Sequence, residues 1–302
     1  MDAIAAKGLS KSFKGKYVVR ELDMHVPVGS IYGLIGENGA GKSTTQKMVC
    51  GLLRPTSGEI SLFGQPIDDA DIRSRMGVLV ENPGVYPGWT AQETLLMQAM
   101  NLGIEKPREA VGEALDAVGL GDTAKKRVKE FSLGMKQRLG IAAALLGSPL
   151  VLILDEPING LDPEGIRDIR RTLLRLNRER HVTMLISSHI LGELSRIATH
   201  YGIIRNGTMV EEVSGEDLAR ECRDYMRIKV AHPEEALSCL AEHMQLSGGE
   251  VVDGEIRLPD AMDGAAANRC LFQNGYIASE LSFHQMDLEE YFMRKMGGGE
   301  NA

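Results

Sequence analysis

The sequence predicts an α/β protein: a large domain built on a mixed, largely parallel sheet, then a small α/β accessory domain. Three observations predict it. Short apolar runs at Ile31–Ile35, Gly77–Val80, Val151–Leu154 and Thr183–Ser187 look like buried parallel strands. Helical patterns lie between them, which is the alternation expected of a parallel sheet covered by helices. After Gly215 the pattern changes to shorter elements.

Taken in order, Asp162 can cap a helix whose first turn holds Pro163. Its apolar residues Ile166, Ile169, Leu173 and Leu176 recur at helical spacing. Residues 201–212 read as a hairpin turning at Asn206-Gly207. The boundaries expected are 1–214 for the large domain and 215–302 for the accessory one. The latter reads as a strand at Met226–Val230, a helix at Pro233–Met244 and a hairpin around Asp253-Gly254. Another helix follows, then a strand near Ile277–Phe283 and a last helix carrying Leu288, Tyr291, Phe292 and Met296. A loose tail is expected at Gly297–Gly299.

Composition narrows the function classes. Of 302 residues, 43% are hydrophobic and 25% charged, ordinary for a soluble globular protein. The net charge of −8 does not favour nucleic acid or an anionic membrane surface, so no nucleic-acid partner is expected. Four cysteines (Cys50, Cys222, Cys239, Cys270) form no CxxC pair, which argues against a disulfide framework or a zinc site. No apolar stretch of signal-peptide length follows Met1, and the longest apolar run, Ile141–Leu146, is far short of a membrane span.

Two motifs carry chemistry. Gly36-Glu37-Asn38-Gly39-Ala40-Gly41-Lys42-Ser43-Thr44 follows a strand pattern and precedes a helical one, the context of a phosphate-cradling loop. Its glycines let backbone N–H groups turn toward a phosphate, and the helix N-terminus adds positive dipole. Lys42 suits the β- and γ-phosphates and Ser43 suits Mg²⁺. The second motif ends the Val151–Leu154 run in Asp155-Glu156. Two acids at the mouth of a buried strand are costly unless they meet a cation or a reaction. Asp155 is expected to bind Mg²⁺ through its water shell and Glu156 to polarise an attacking water.

With Phe131-Ser132-Leu133-Gly134-Met135-Lys136-Gln137-Arg138, Asn159-Gly160-Leu161-Asp162 and Ser187-Ser188-His189 in this order, residues 1 to about 214 resemble the nucleotide-binding subunit of an ATP-binding-cassette (ABC) transporter. The resemblance implies a P-loop NTPase fold of ABC type, with a helical subdomain over about 84–147. It implies a Mg²⁺-dependent ATPase that powers export through a separate integral membrane permease. Such a subunit works on the cytoplasmic face of the membrane and pairs with a second ATP-binding subunit, here expected to be a homodimer.

The resemblance also implies residue roles. Ser132 and the Gly134 amide contact the γ-phosphate bound by the opposite subunit, while Leu133 and Met135 depart from the usual Leu-Ser-Gly-Gly-Gln. His189 reaches the γ-phosphate and the catalytic water. Phe13, with Tyr17 as rival, stacks on adenine, and Asp162 belongs to the ATP site. The strand Met76–Val80 ends in Glu81 where the family usually has glutamine. That departure resembles the bacitracin-resistance and lantibiotic-immunity exporters. A carboxylate there suits Mg²⁺ or a basic residue of a permease. Residues 82–94 read as a loop. An alternative within the ATPase class acts in DNA repair or translation; it fits poorly, because the chain has one cassette, no long coiled coil and no basic patch. A regulatory module that holds ATP without turnover is a third reading.

Overall fold

The computed structural model describes residues 1–80, 84–222, 225–244, 246, 248–259, 263–284, 291–292 and 295. Glu81 and the expected positions of Leu288, Met296 and Gly297–Gly299 lie outside the described residues. The chain divides into two compact units, Met1–Gly215 and Glu216–Ala302.

The first unit begins with β1 (Asp2–Phe13) and β2 (Lys16–Pro27), an antiparallel pair. β3 (Ile31–Ile35) is wholly buried and feeds the phosphate loop and α1 (Lys42–Val49). β4 (Ser57–Leu62), β5 (Gln65–Pro66) and the short α2 (Ala70–Arg73) precede β6 (Met76–Leu79). Then come α3 (Ala91–Asn101), α4 (Pro107–Ala117) and α5 (Leu133–Leu145), which pack on one another. β7 (Val151–Asp155), α6 (Pro163–Arg180), β8 (Thr183–Ser188), the short α7 (Leu191–Leu194), β9 (His200–Arg205) and β10 (Thr208–Ser214) complete the unit.

Among the described residues, the strands of this unit form an antiparallel sheet, ordered β2-β1-β4-β5, and a second sheet, ordered β10-β9-β3-β8-β7-β6. Within the second sheet β9, β3, β8, β7 and β6 run parallel, and β10 returns antiparallel. The buried runs of β3, β7 and β8 form the middle of it, as continuous apolar strands covered on both faces should. α1 packs against β1, β2 and β7, so the loop before it opens at the carboxyl ends of β3 and β7. Ligands collect at such strand ends in open α/β sheets.

One expectation needs correction. The loop expected over 82–94 stops at Thr90. Thr90 Oγ1 accepts from Glu93 N (3.1 Å), and Glu93 Oε2 accepts from Thr90 N (2.8 Å), so a reciprocal capping box starts α3 at Ala91. α5 starts at Leu133, because Ser132 Oγ accepts from Met135 N at 3.2 Å. The hairpin at Asn206-Gly207 is observed, with φ of 50° and 81° at the two turn residues. Asp162 caps α6 by accepting from Gly165 N at 3.2 Å.

The second unit contains α8 (Gly215–Glu221, whose first residue closes the unit before it), β11 (Tyr225–Val230), α9 (Pro233–Met244), β12 (Glu250–Val252), β13 (Glu255–Pro259), α10 (Gly264–Gln273) and β14 (Ala278–His284). Its sheet runs β12-β13-β11-β14 and is antiparallel throughout. From β11 onward this is a β-α-β-β-α-β arrangement. Met226, Ile228, Ala236, Leu240, Ile256, Leu258, Ala267 and Leu271 form its core, between the sheet and the α9–α10 layer.

Candidate active site: a phosphate loop against a carboxylate pair

The loop between β3 and α1 is shaped by backbone that only glycine accepts without cost. Gly39 and Gly41 have φ of 83° and 109°. Gly36 is required by space instead: a Cβ there would lie 2.4 Å from the Ile204 carbonyl oxygen. Gly41 is the N-cap of α1, with no side chain bonding the helix start. The first N–H groups of α1 are therefore left to whatever occupies the loop. Ala40 is buried, and its carbonyl accepts from Gly207 N at 2.9 Å, which ties the loop to the β9–β10 turn.

Lys42 is 5% exposed and turns back over the loop. Its Nζ donates to the carbonyls of Gly36 (2.7 Å) and Glu37 (3.1 Å) and lies 3.7 Å from Glu156 Oε1. A buried ammonium held by carbonyls is positioned to exchange them for phosphate oxygens.

β7 delivers the acids. Asp155 Oδ1 accepts from Ser43 Oγ at 3.2 Å and from Ser187 Oγ at 2.5 Å. Glu156 adopts the left-handed region, with φ of 48°. That conformation costs a non-glycine residue about 1–2 kcal/mol. It is held because Glu156 N donates to Ser187 O (3.2 Å) and Ser187 Oγ (3.0 Å). The bend aims the carboxylate back across the cleft, where Glu156 Oε2 lies 2.8 Å from His189 Nδ1. This contact orients the imidazole against the carboxylate.

A cleft of about 320 Å³ is lined by Asn38, Gly39, Gly41, Lys42, Ser43, Thr44, Glu156 and His189, together with Val18 and Asn159. Gly36 and Ala40 frame the loop at its buried side, and Asp155 reaches the cleft through Ser43. A larger groove of about 700 Å³ runs along β4 and β5; its mixed charges, from Lys7 and Arg54 to Glu59 and Asp68, form no convergent catalytic set.

Several expected residues are not in the cleft lining. Phe13 is 47% exposed with Lys11 Nζ over its ring at 5.2 Å, so it is no core residue, and neither Phe13 nor Tyr17 lines the cleft. Ser132, Gly134 and Asp162 also fall outside it. The start of α5 instead lies beside the start of α6: a Cβ on Gly134 would sit 3.6 Å from Gly165 Cα, and one on Gly160 would sit 3.5 Å from the Leu133 side chain. Glu81 lies outside the described residues.

Sequence reasoning gave no role to three residues of the site. Ser187 clamps both acids. Gln46, fully buried, donates from Nε2 to Leu154 O at 3.0 Å and so joins α1 to the end of β7. Asn159 lines the cleft. Ser187 was detectable in principle, because a hydroxyl at the end of a buried strand must find a partner.

Ser43 Oγ and Asp155 Oδ1 fit a hard divalent cation. They are oxygen ligands at the mouth of a phosphate loop, and Mg²⁺ takes few protein ligands beside phosphate and water.

The ABC transporter family profile matches residues 19–159, spanning the phosphate loop and the carboxylate pair. A bacitracin transport ATP-binding protein of Bacillus licheniformis is 41% identical over 300 residues, 98% of each chain. The chain belongs to the ABC transporter ATP-binding family. A lantibiotic transport ATP-binding protein of Streptococcus pyogenes is also 41% identical, over 68% of this chain and 88% of its own. A solved ATP-binding subunit of an ABC transporter superposes with a TM-score of 0.63 at 30% identity, covering 72% of this chain and 92% of that one. As a member of this family the chain is an ATP-binding ATPase. Among the described residues no helix is long and apolar enough to cross a membrane.

Proposed function

We propose that this ATPase drives export of a peptide antibiotic of the bacitracin or lantibiotic class through a separate membrane permease. The observation that carries the substrate class is the match to the bacitracin transport protein across 98% of both chains, which includes the accessory unit. The relatives named above are transport proteins, and nothing in them favours DNA repair or translation. The chain works peripherally, on the cytoplasmic face, with residues 1–214 as the nucleotide-binding domain, about 84–147 as its helical subdomain and 215–302 as an accessory domain.

The chemistry follows from the cleft. Backbone N–H groups of the loop and of Lys42, Ser43 and Thr44 cradle the phosphates, and Lys42 Nζ leaves the Gly36 and Glu37 carbonyls to neutralise the γ-phosphate. Ser43 and Asp155 hold Mg²⁺, which supplies further neutralisation of phosphate charge. Glu156 orients the attacking water and accepts its proton, while His189 fixes the carboxylate through Nδ1. Phe13 offers an exposed ring for the adenine.

Ser132 and Gly134 lie outside their own chain's cleft, which supports their serving a second copy in a homodimer that sandwiches two ATP molecules. Asp162 belongs to that joint beside them, since the starts of α5 and α6 adjoin. The permease docks on the segment up to Trp89, including Glu81. Tyr86 is 55% exposed, and its ring lies 4.8 Å from that of Trp89. Backbone bonds from Val128 and Lys129 to Trp89 and Pro87 hold this aromatic pair in place. Aromatic anchors of this kind dominate interfaces.

The test is resistance. Expressed with its co-purifying permease in a sensitive bacterium, the chain should raise the inhibitory concentration of bacitracin, and Glu156→Gln should remove the gain. No gain for any peptide antibiotic, with ATPase activity intact, would discard the substrate class and leave the enzyme.

A further inference from the structure

The accessory unit holds a cluster that the nucleotide chemistry does not use. Ala236 and Leu240 of α9 and Ala267 and Leu271 of α10 are buried where the two helices pack together. Cys239 stands between the first two, Cys270 between the second two, and His243 lies one turn beyond Cys239. One ligand atom from each of Cys239, His243 and Cys270 lies within 4.8 Å of the others. Cys239 Sγ is 3.8 Å from His243 Nδ1.

We propose that Cys239, His243 and Cys270 bind one Zn²⁺ ion at the rim of the α9–α10 seam, with a water as fourth ligand. Zn²⁺ prefers thiolate and imidazole, at about 2.3 Å and 2.0–2.1 Å respectively, in tetrahedral geometry. Those lengths separate neighbouring ligand atoms by about 3.5–3.8 Å, which is the separation already present between Cys239 and His243. Ligands at i and i+4 share one helix face, so Cys239 and His243 bind together without distorting α9.

His243 Nδ1 now sits 2.9 Å from the Cys239 carbonyl oxygen, and a small turn of the ring exchanges that contact for the ion. Asn274 Nδ2 donates to Cys270 O at 2.9 Å and lies 4.0 Å from Cys270 Sγ, beside the sulfur that would carry charge. Outer-shell amides of this kind steady metal thiolates. On binding, each thiol gives its proton to solvent, the proton on His243 Nδ1 passes through solvent to Nε2, and two Zn–S bonds and one Zn–N bond replace two S–H bonds and that N–H bond. The ion then ties α9 to α10 over a small core, a device that small domains commonly need.

Co²⁺ is the probe, added to the reduced, chelator-stripped full-length chain. One equivalent should give a sulfur-to-cobalt charge-transfer band that Zn²⁺ abolishes by displacement. Co²⁺ held by the oxygens of Ser43 and Asp155 gives no such band. Cys239→Ser, Cys270→Ser and His243→Ala should each weaken Co²⁺ binding by at least about tenfold, more than loss of an outer-shell partner at the low end of its range. Cys222→Ser should leave the band unchanged. Circular dichroism identifies any variant that fails to fold, and the milder Asn274→Ala should still lower affinity. Absence of a sulfur band, or a band that persists in the Cys239→Ser/Cys270→Ser double variant, overturns the site. So does a reduced chain that binds no Co²⁺ and only forms a Cys239–Cys270 disulfide on mild oxidation.

Discussion

The starts of α1 and α5 are both read from the sequence as phosphate contacts, and the structure treats them oppositely. α1 is entered through Gly41 with no side-chain cap, and Lys42 is folded over the opening. α5 is entered through Ser132, whose hydroxyl already accepts from Met135 N. The first terminus is built into a cleft with Glu156 and His189, and the second lies outside it beside α6. An uncapped helix end backed by a buried cation is a complete anion site; a capped end on the surface becomes one only when another molecule brings the anion to it.

The largest effect should come from the first terminus and its acids. Glu156→Gln should keep ATP binding and lower turnover by about 10²–10⁴-fold, the usual range for a positioned general base. A steady-state rate near that of the parent would remove Glu156 from that role. Ser132→Arg tests the other terminus. It should leave nucleotide binding by the monomer intact, abolish ATP-driven dimerisation of the Glu156→Gln form in light scattering, and lower turnover of the parent by about 10²–10³-fold, as expected for a lost oxyanion donor. An ATP-loaded dimer that survives this change would break the contrast between the two helix starts.

Gln46→Leu addresses what holds the first terminus. It removes the side-chain hydrogen bond that joins α1 to the Leu154 carbonyl and should cost about 0.5–1.5 kcal/mol in denaturant unfolding. An unchanged midpoint would mean that α1 is fixed to β7 by packing alone.

The smallest effect is a pH dependence far from both termini. Glu212 takes hydrogen bonds from Tyr32 Oη (2.6 Å) and His25 N (2.8 Å), and its Oε2 lies 2.8 Å from His25 Nδ1. The Glu212 bond raises the His25 pKa above its ordinary 6.5, so the folded chain holds that proton more tightly than the unfolded one. The resulting stabilisation is full below pH 6.5 and is lost as pH rises through the raised value. His25 is half exposed, so the effect is screened and small. Urea midpoints compared from about pH 5 to 8 should fall less steeply for Glu212→Gln than for the parent; equal slopes would exclude the pair.

Much of the site was legible because its signals are local. Gly39, Gly41, Lys42 and Ser43 lie within five residues, and their conformations follow from residue type and strand context, whereas the need for Gly36 comes from the distant Ile204 carbonyl. The Asn206-Gly207 and Asp253-Gly254 turns and the order of elements from β11 to β14 were legible for the same reason, whereas α8 was not expected. The start of α3 was misplaced because the Thr90–Glu93 capping box sits inside a stretch whose Pro and Gly content reads as loop. That the Ser187 hydroxyl needs a partner was legible, but that Asp155 and Glu156 supply it was not, since this requires β7 and β8 to lie side by side in register.

The sequence by itself determined the parallel α/β layers, the phosphate loop, the acidic strand end and the small accessory unit, because each rests on hydrophobic period or turn chemistry within a few residues. Only the tertiary structure decided which of these meet. Strand order puts Ser187 under Asp155 and sends Glu156 back toward Lys42 and His189. The course of the chain from α3 through α6 leaves Ser132 outside its own cleft. The packing of α9 on α10 gathers two cysteines that no spacing rule connects. Proximity between distant residues depends on which faces pack together, and a linear pattern specifies the faces but not their partners.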